Sequence, residues 1–277
     1  MIIAMVKQTN IAYAPDEICK AINKHTDHTC FVTGDMKEVK DADVVHYHNK
    51  YLKCQNGKQV IQFHSEPERV NLSCPCKKLV IAQYHATLPE YRKCSVVRNI
   101  INLDTGIYTQ PLFHPPKLKI GYSPSTTVKQ SDWFDKGYAQ TKEILERAKK
   151  ELSIDYDIIC GVSLEESLRR KASCSVVIDE CVTKSYHRSA LEGLALGKMT
   201  ICSIGDDVQE IVKKSCGDYL PVENINIDSL YDFLTNISRK PITKVNNKGK
   251  DNRQWMETYW NPKDIVNEYI KIYEELK

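Results

Sequence analysis

Residues 176–203 read VVIDECVTKSYHRSALEGLALGKMTICS, and the fold follows from how that stretch divides. Val176–Asp179 is a β-branched run closed by an acid, the pattern of a strand buried in a parallel sheet. Thr200–Cys202 is a second such run. Between them Ala190, Leu191, Leu194 and Ala195 recur at three- and four-residue spacing, which predicts a helix with one apolar stripe. Its small residues predict close packing on the sheet, and Gly197 falls where a left-handed C-terminal cap costs least. Strand, helix and strand form a βαβ unit, and such units bind ligands at the carboxyl ends of their strands.

The loop Glu180–Ser185 belongs to that end. The helix after it offers N–H groups and a positive dipole end, an anion site. Tyr186, His187 and Arg188 open the helix and bring a stacking ring and a cation to it. Two readings stand: a phosphate-bearing ligand whose hydroxyls Glu192 accepts, or an ordinary βαβ unit with a surface Arg and a capping Ser.

The segment ALEGLALGKMTICS resembles the LEAMALGKPVI signature of nucleotide-sugar glycosyltransferases of GT-B architecture, the retaining glycosyl transferases group 1 family. Asp179 and Tyr186 match the D and Y of a longer pattern found in part of that family. Glu192 matches the second Glu of the family's Glu-x7-Glu pair, which binds the donor ribose. The first falls on Lys184, and His187 stands where Gly is usual. Lys136-Gly137 matches a Lys-Gly at a helix start whose lysine binds the donor diphosphate. The resemblance implies an α/β fold of two Rossmann-like domains with a cleft between them. The co-substrate it implies is a UDP-sugar, with no bound cofactor.

At 277 residues the chain suits two small α/β domains: 1–114 for the acceptor, 115–261 for the donor, and a final helix, 262–277, crossing back to the first. The 39 basic and 36 acidic residues leave a net charge of +3, short of a dedicated nucleic-acid binder. No apolar run of about 18 residues predicts a transmembrane segment, and the first residues lack a signal-peptide pattern. Eleven scattered cysteines point to reduced thiols in a cytoplasmic protein. Cys54, Cys74, Cys76 and Cys94 lie near His85, but Cys74 and Cys76 are closer than structural zinc prefers, so no metal is expected.

Strands predicted in the first half end in a polar rim: His46, His48, His64, Ser65 and Glu66. His64 and Glu66 are the candidate catalytic residues, His64 as orienting group or base. In the second half the hydroxyls of Ser123 and Ser125 are candidate phosphate ligands, beside Lys136, Tyr186, His187, Arg188 and Glu192. Asp218–Val222 reads as an edge strand, residues 241–251 as a polar linker, and Trp255–Trp260 as a short helix.

The expected activity is transfer of a sugar from a UDP-sugar donor to a hydroxyl acceptor. No Asp-x-Asp triplet of the metal-dependent type is expected, so Lys136 and Arg188 take the part of a metal. The acceptor is left open between a glycan and a hydroxymethylated DNA base. The second would use Lys50, Lys53, Lys58, Lys77, Lys78, Arg92 and Lys93 on phosphates. A non-catalytic nucleotide-sugar-binding protein is the remaining alternative.

Overall fold

The apolar run Ile2–Val6 forms β1, and helix α1 (Ala14–His25) leads to β2 (Thr29–Thr33). The computed structural model describes residues 1–7, 11, 13–53, 58–152 and 154–276. β3 (Val44–His48), β4 (Lys58–Phe63), β5 (Lys77–Ile81) and β6 (Ser95–Val97) complete a parallel sheet in the order β2-β1-β3-β4-β5-β6. Its middle strands bury both faces, which is why they read as continuous apolar runs. Ala4, Val6, Val45, Tyr47, Ile61, Phe63, Val80 and Tyr91 form the core.

This sheet belongs to a compact unit of Met1–Asn102, Ile211–Gly217 and Trp260–Lys277. The last segment carries α9 (Pro262–Glu274), started by the Asn261 side chain capping the Lys263 N–H. Ile265, Val266, Tyr269, Ile270 and Tyr273 make its buried stripe, and it packs on α1 and β6. The continuous part of the unit stops at Asn102, ahead of the proline-containing segment 113–117.

The second unit holds Leu103–Glu210 and Asp218–Tyr259. Its strands are β7 (Lys119–Tyr122), β8 (Asp155–Ile158), β9 (Val176–Glu180), β10 (Met199–Cys202) and β11 (Glu223–Asn224), all parallel in the order β11-β10-β9-β7-β8. Its helices up to β10 are α2 (Asp132–Asp135), α3 (Tyr138–Glu151), α4 (Leu164–Ala172) and α5 (Arg188–Ala195). α6 (Asp206–Cys216), α7 (Ile227–Ser238) and α8 (Ile242–Tyr259) follow.

The βαβ unit expected at residues 176–203 is present as β9, α5 and β10. α5 sits close because a Cβ at Gly193 would fall 2.7 Å from Thr200 Oγ1 and 3.1 Å from Val177 Cβ. Its C-terminus is a Schellman cap: Lys198 N–H donates to Gly193 O, Gly197 N–H to Leu194 O, and Gly197 has φ +67°.

Two expectations are corrected. Residues 241–251 are not a linker but the larger part of α8, which continues through Tyr259. The buried line of α8 runs Val245, Gly249, Asn252, Met256, a helical spacing whose middle members are not hydrophobic. Asn252 Nδ2 donates to Lys198 O at 2.8 Å and Arg253 to Ala195 O at 2.7 Å, so polar bonds to the end of α5 add to the buried side chains that hold the helix. The edge strand lies at Glu223–Asn224 rather than Asp218–Val222, and Asp218 instead accepts from Trp255 Nε1 at 3.1 Å.

A Cβ at Gly249 would lie 2.1 Å from the Gly197 carbonyl oxygen, a backbone atom that cannot swing away. Gly249→Ala is therefore expected to destabilise the second unit by about 1–3 kcal/mol, while exposed Lys250→Ala changes little. Denaturant unfolding followed by circular dichroism checks this.

Candidate functional site

In the second sheet the chain steps from β7 out to β8 and restarts at β9 on the other side of β7. Ligands of parallel sheets bind outside the carboxyl ends of strands at such a reversal. The loops there follow Tyr122 and Glu180.

Asp179, second-last residue of β9, organises this end. Its carboxylate is fully buried and accepts from Lys136 Nζ at 2.7 Å and from the His187 backbone N–H at 2.6 Å. One bond fixes the turn before α3 and the other caps α5. Burial works to raise the Asp179 carboxyl, but Lys136 and His187 hold it far below the usual carboxylate range. Lys136 itself is buried and has φ +55°, a left-handed conformation that surrounding bonds must maintain. Tyr122 donates its hydroxyl to Lys136 O at 2.9 Å, and Lys136 Nζ also reaches Ser123 O at 3.4 Å.

Arg188 and Glu192 stand one turn apart on α5 and pair at 2.9 Å. Glu192 is almost fully buried, and its other oxygen accepts at 2.5 Å from Lys171 Nζ, a buried ammonium on α4. Burial raises the Glu192 carboxyl, but Lys171 and Arg188 outweigh it and hold the group low. Glu180 differs. Burial and the Asp179 charge push it up to about 7, although its carboxylate accepts the N–H groups of Val182 and Thr183 at 2.7 and 2.5 Å.

Several expected residues are placed otherwise. Tyr186 is fully buried, so the open ring at the start of α5 is that of Trp133, whose centroid lies 4.0 Å from that of His187. Burial, then the Lys136 charge, lowers the His187 imidazole, which is neutral near pH 7. The Ser123 hydroxyl is spent on Ile159 O at 3.2 Å, and Ser125 is exposed on the same loop. Two Asp-x-Asp triplets occur in the chain, both away from the reversals. Asp41 and Asp43 precede β3, and Asp155 and Asp157 lie in edge strand β8, paired with Lys149 and Arg170. No group of three or more metal-ligating side chains occurs among the described residues; Cys54 lies outside them.

The first sheet reverses between β1 and β3. Just beyond β3, Asn49 (φ +59°) accepts the His64 N–H at 2.6 Å and donates to Ser65 Oγ at 3.0 Å, tying together the loops after β3 and β4. A cavity of about 510 Å³ opens there, lined by Asn49, Lys50, Tyr51, Ser65, Arg69 and Asn71 among others. Glu66 accepts the Tyr84 hydroxyl at 3.0 Å and pairs with Arg69 at 3.4 Å.

The histidines do not share an open rim. His46 and His48 are fully buried, their rings stacked 4.5 Å apart, and only His64 is half-exposed. Burial, then the charge of His85, pushes His64 down to about 3, so it is neutral near pH 7 and a weak base. The cations expected to form one DNA groove also divide. Lys58, Lys77 and Lys78 begin β4 and β5, and Arg92 and Lys93 precede β6, at the rim opposite His64, whereas Lys50 lies at the His64 end.

No family model matches the sequence, and no curated protein matches it. Solved structures do. A glycosyltransferase from Rickettsia africae superimposes with a TM-score of 0.61 at 14% identity, covering 99% of this chain and 98% of its own. Anabaena HepE in complex with UDP and glucose gives 0.60 at 11%, covering both chains fully. Sucrose-phosphate synthase from Thermosynechococcus elongatus gives 0.56 at 11%, covering 99% and 98%. The chain has the GT-B fold. No described helix is long and apolar enough to cross a membrane.

Sequence patterns missed Lys171, Glu180, Asn49 and Trp133. Only Asn49, a residue tolerant of left-handed backbone just past a strand, left a local signal.

Truncating Glu192 strands the buried Lys171 ammonium. Glu192→Ala is expected to cost about 3–5 kcal/mol, and Lys171→Met/Glu192→Leu less than that, in urea unfolding. Glu180 gives a second expectation, on pH. With its folded pKa raised to about 7 from an ordinary 4.5, the folded protein keeps a proton that the unfolded chain releases. Its stabilising contribution is full below pH 4.5 and is lost as pH rises to 7. The whole effect is about 3 kcal/mol. Glu180→Gln should flatten that part of the stability–pH curve.

Proposed function

We propose that the protein transfers a sugar from a UDP-sugar to a hydroxyl acceptor without a metal ion. The observation that carries this is a set of cations aimed by carboxylates at the reversal point of the second sheet. Lys136 is held there by Asp179, and Lys171 and Arg188 by Glu192. The GT-B fold supports the reading, and HepE was solved with UDP and glucose.

When the glycosidic bond breaks, the leaving diphosphate gains negative charge. Cations already oriented by carboxylates stabilise that charge without reorganising. Arg188, half-buried and held by Glu192, is the cation assigned to the diphosphate, with Lys136 behind it. A carboxylate has about four lone-pair sites, so Glu192 keeps capacity for a ribose hydroxyl beside its two cations. Ser123 and Ser125 contribute loop amides and a hydroxyl, and the Trp133–His187 pair an aromatic wall. In the first unit the cavity beside Asn49 and Ser65 is assigned to the acceptor, with His64 and Glu66 at its margin.

The test is calorimetric titration of UDP and UDP-sugars, with released UDP followed in excess EDTA. Binding is expected, about 10–100-fold weaker in Arg188→Ala, since a charged hydrogen bond contributes about 1.5–3 kcal/mol. UDP release should persist in EDTA. Absence of binding, or equal binding by the variant, overturns the donor site. Activity lost in EDTA and restored by manganese overturns metal independence. Tight binding with no release in any glycan or DNA mixture favours a non-catalytic binder.

A further inference from the structure

His64 is the one member of a polar file in the first unit that is half-exposed. Its Nε2 lies 3.1 Å from Nδ1 of His48, which is fully buried on β3. Behind His48 stacks His46, and His46 Nδ1 lies 2.8 Å from the Tyr273 hydroxyl on α9. Gln62 on β4 is the Cα partner of His48 across the sheet, and Tyr269 donates its hydroxyl to the Gln62 Oε1 at 3.1 Å.

The short contact between two imidazoles needs one proton, and it sits on either ring. If His64 donates from Nε2, His48 accepts at Nδ1 and carries its own proton on Nε2. That nitrogen is buried and has no hydrogen-bond partner among the described residues. If His48 donates from Nδ1, the unpartnered position at Nε2 is only a lone pair. Orphaned buried N–H groups are rarer than orphaned acceptors.

We propose that His48 is the residue that positions His64, fixing its proton on Nδ1 so that His64 meets its ligand as a hydrogen-bond donor rather than as a base. A histidine's tautomer is set by the bond that its other nitrogen makes. Around the pair stand His46 on β3, Gln62 on β4, Tyr269 and Tyr273 on α9, Lys7 after β1 and His85 after β5. None of these is an anion that would charge an imidazole. Burial first, then the nearby histidines and Lys7, disfavours charge on either ring, so the choice lies between tautomers. The part played in sugar transfer rests on the proposed reaction; the tautomer does not.

Long-range proton–nitrogen NMR of ¹⁵N-labelled protein reads the tautomer directly, with His64 assigned by its loss in His64→Asn. The wild type is expected to show His64 protonated on Nδ1 alone and untitrating near neutral pH. His48→Leu should move His64 toward the Nε2–H form. His48→Gln, whose amide also donates, should restore the wild-type pattern. In UDP-sugar transfer, His48→Leu should lower kcat about tenfold or more with donor KM little changed, and His48→Gln should recover most of it. A wild-type His64 protonated on Nε2, or titrating near neutrality, overturns the proposal whatever the activity. A folded His48→Leu with altered tautomer and full kcat overturns the positioning role. If His48→Leu does not fold, the wild-type and His48→Gln spectra decide. Expected spectra in a protein with no transfer activity uphold the tautomer and fail the transfer reading instead.

Discussion

The second unit depends on one fully buried carboxylate. Asp179 joins a lysine ahead of α3 to the first turn of α5, and so holds in register two segments that local sequence leaves unconnected. A buried charge of this kind is tolerated only when it is fully paired, and removing either partner leaves the other stranded. Lys171 and Glu192 repeat the arrangement one turn further along α5. The result is a rigid electrostatic frame in which each cation is aimed by an acid. Such a frame suits a ligand whose charge grows during reaction, because nothing has to move to meet it.

The first unit solves a different problem. Its sheet carries imidazoles and a carboxamide where a parallel sheet usually carries aliphatic side chains. The tyrosines of α9 reach them: Tyr273 meets His46, and Tyr269 meets both Gln62 and the Arg98 carbonyl. α9 is thus both an apolar lid on the core and the source of its polar partners. Unpaired polar groups cost most in such an interior, so the match is strongly specified.

How much of this could be read in the chain depended on whether the signal was local. Residues 176–203 were legible because strand, cap and small-residue stripe are written in consecutive positions. Lys136 and Glu192 were singled out by a motif, and Arg188 by its place at a helix start; the structure pairs Arg188 with Glu192. Lys171 was not, since its partner is 21 residues away and nothing near it in sequence hints at a buried ammonium. α8 was missed because a line of Val, Gly, Asn and Met looks polar, although the Gly permits a close approach of backbones and the Asn bonds a carbonyl. Tyr186 was taken for an exposed ring because it sits among polar residues at a helix start; burial is decided by the sheet beneath it. His46 and His48 misled for the converse reason, since strand-end position alone does not reveal that α9 covers them.

The make-up of the first unit also bears on how the polypeptide is made. Residues 260–276 are synthesised after the whole second unit, so a ribosome-bound chain presents the first sheet without its closing helix for most of translation. During that interval His46 and Gln62 lack their tyrosines, and the face destined for α9 is bare. All residues of the second unit precede residue 260 and are available before this happens. Completion of the first unit therefore waits for residues that follow the second unit in the chain, and loss of α9 strikes the fold at its beginning.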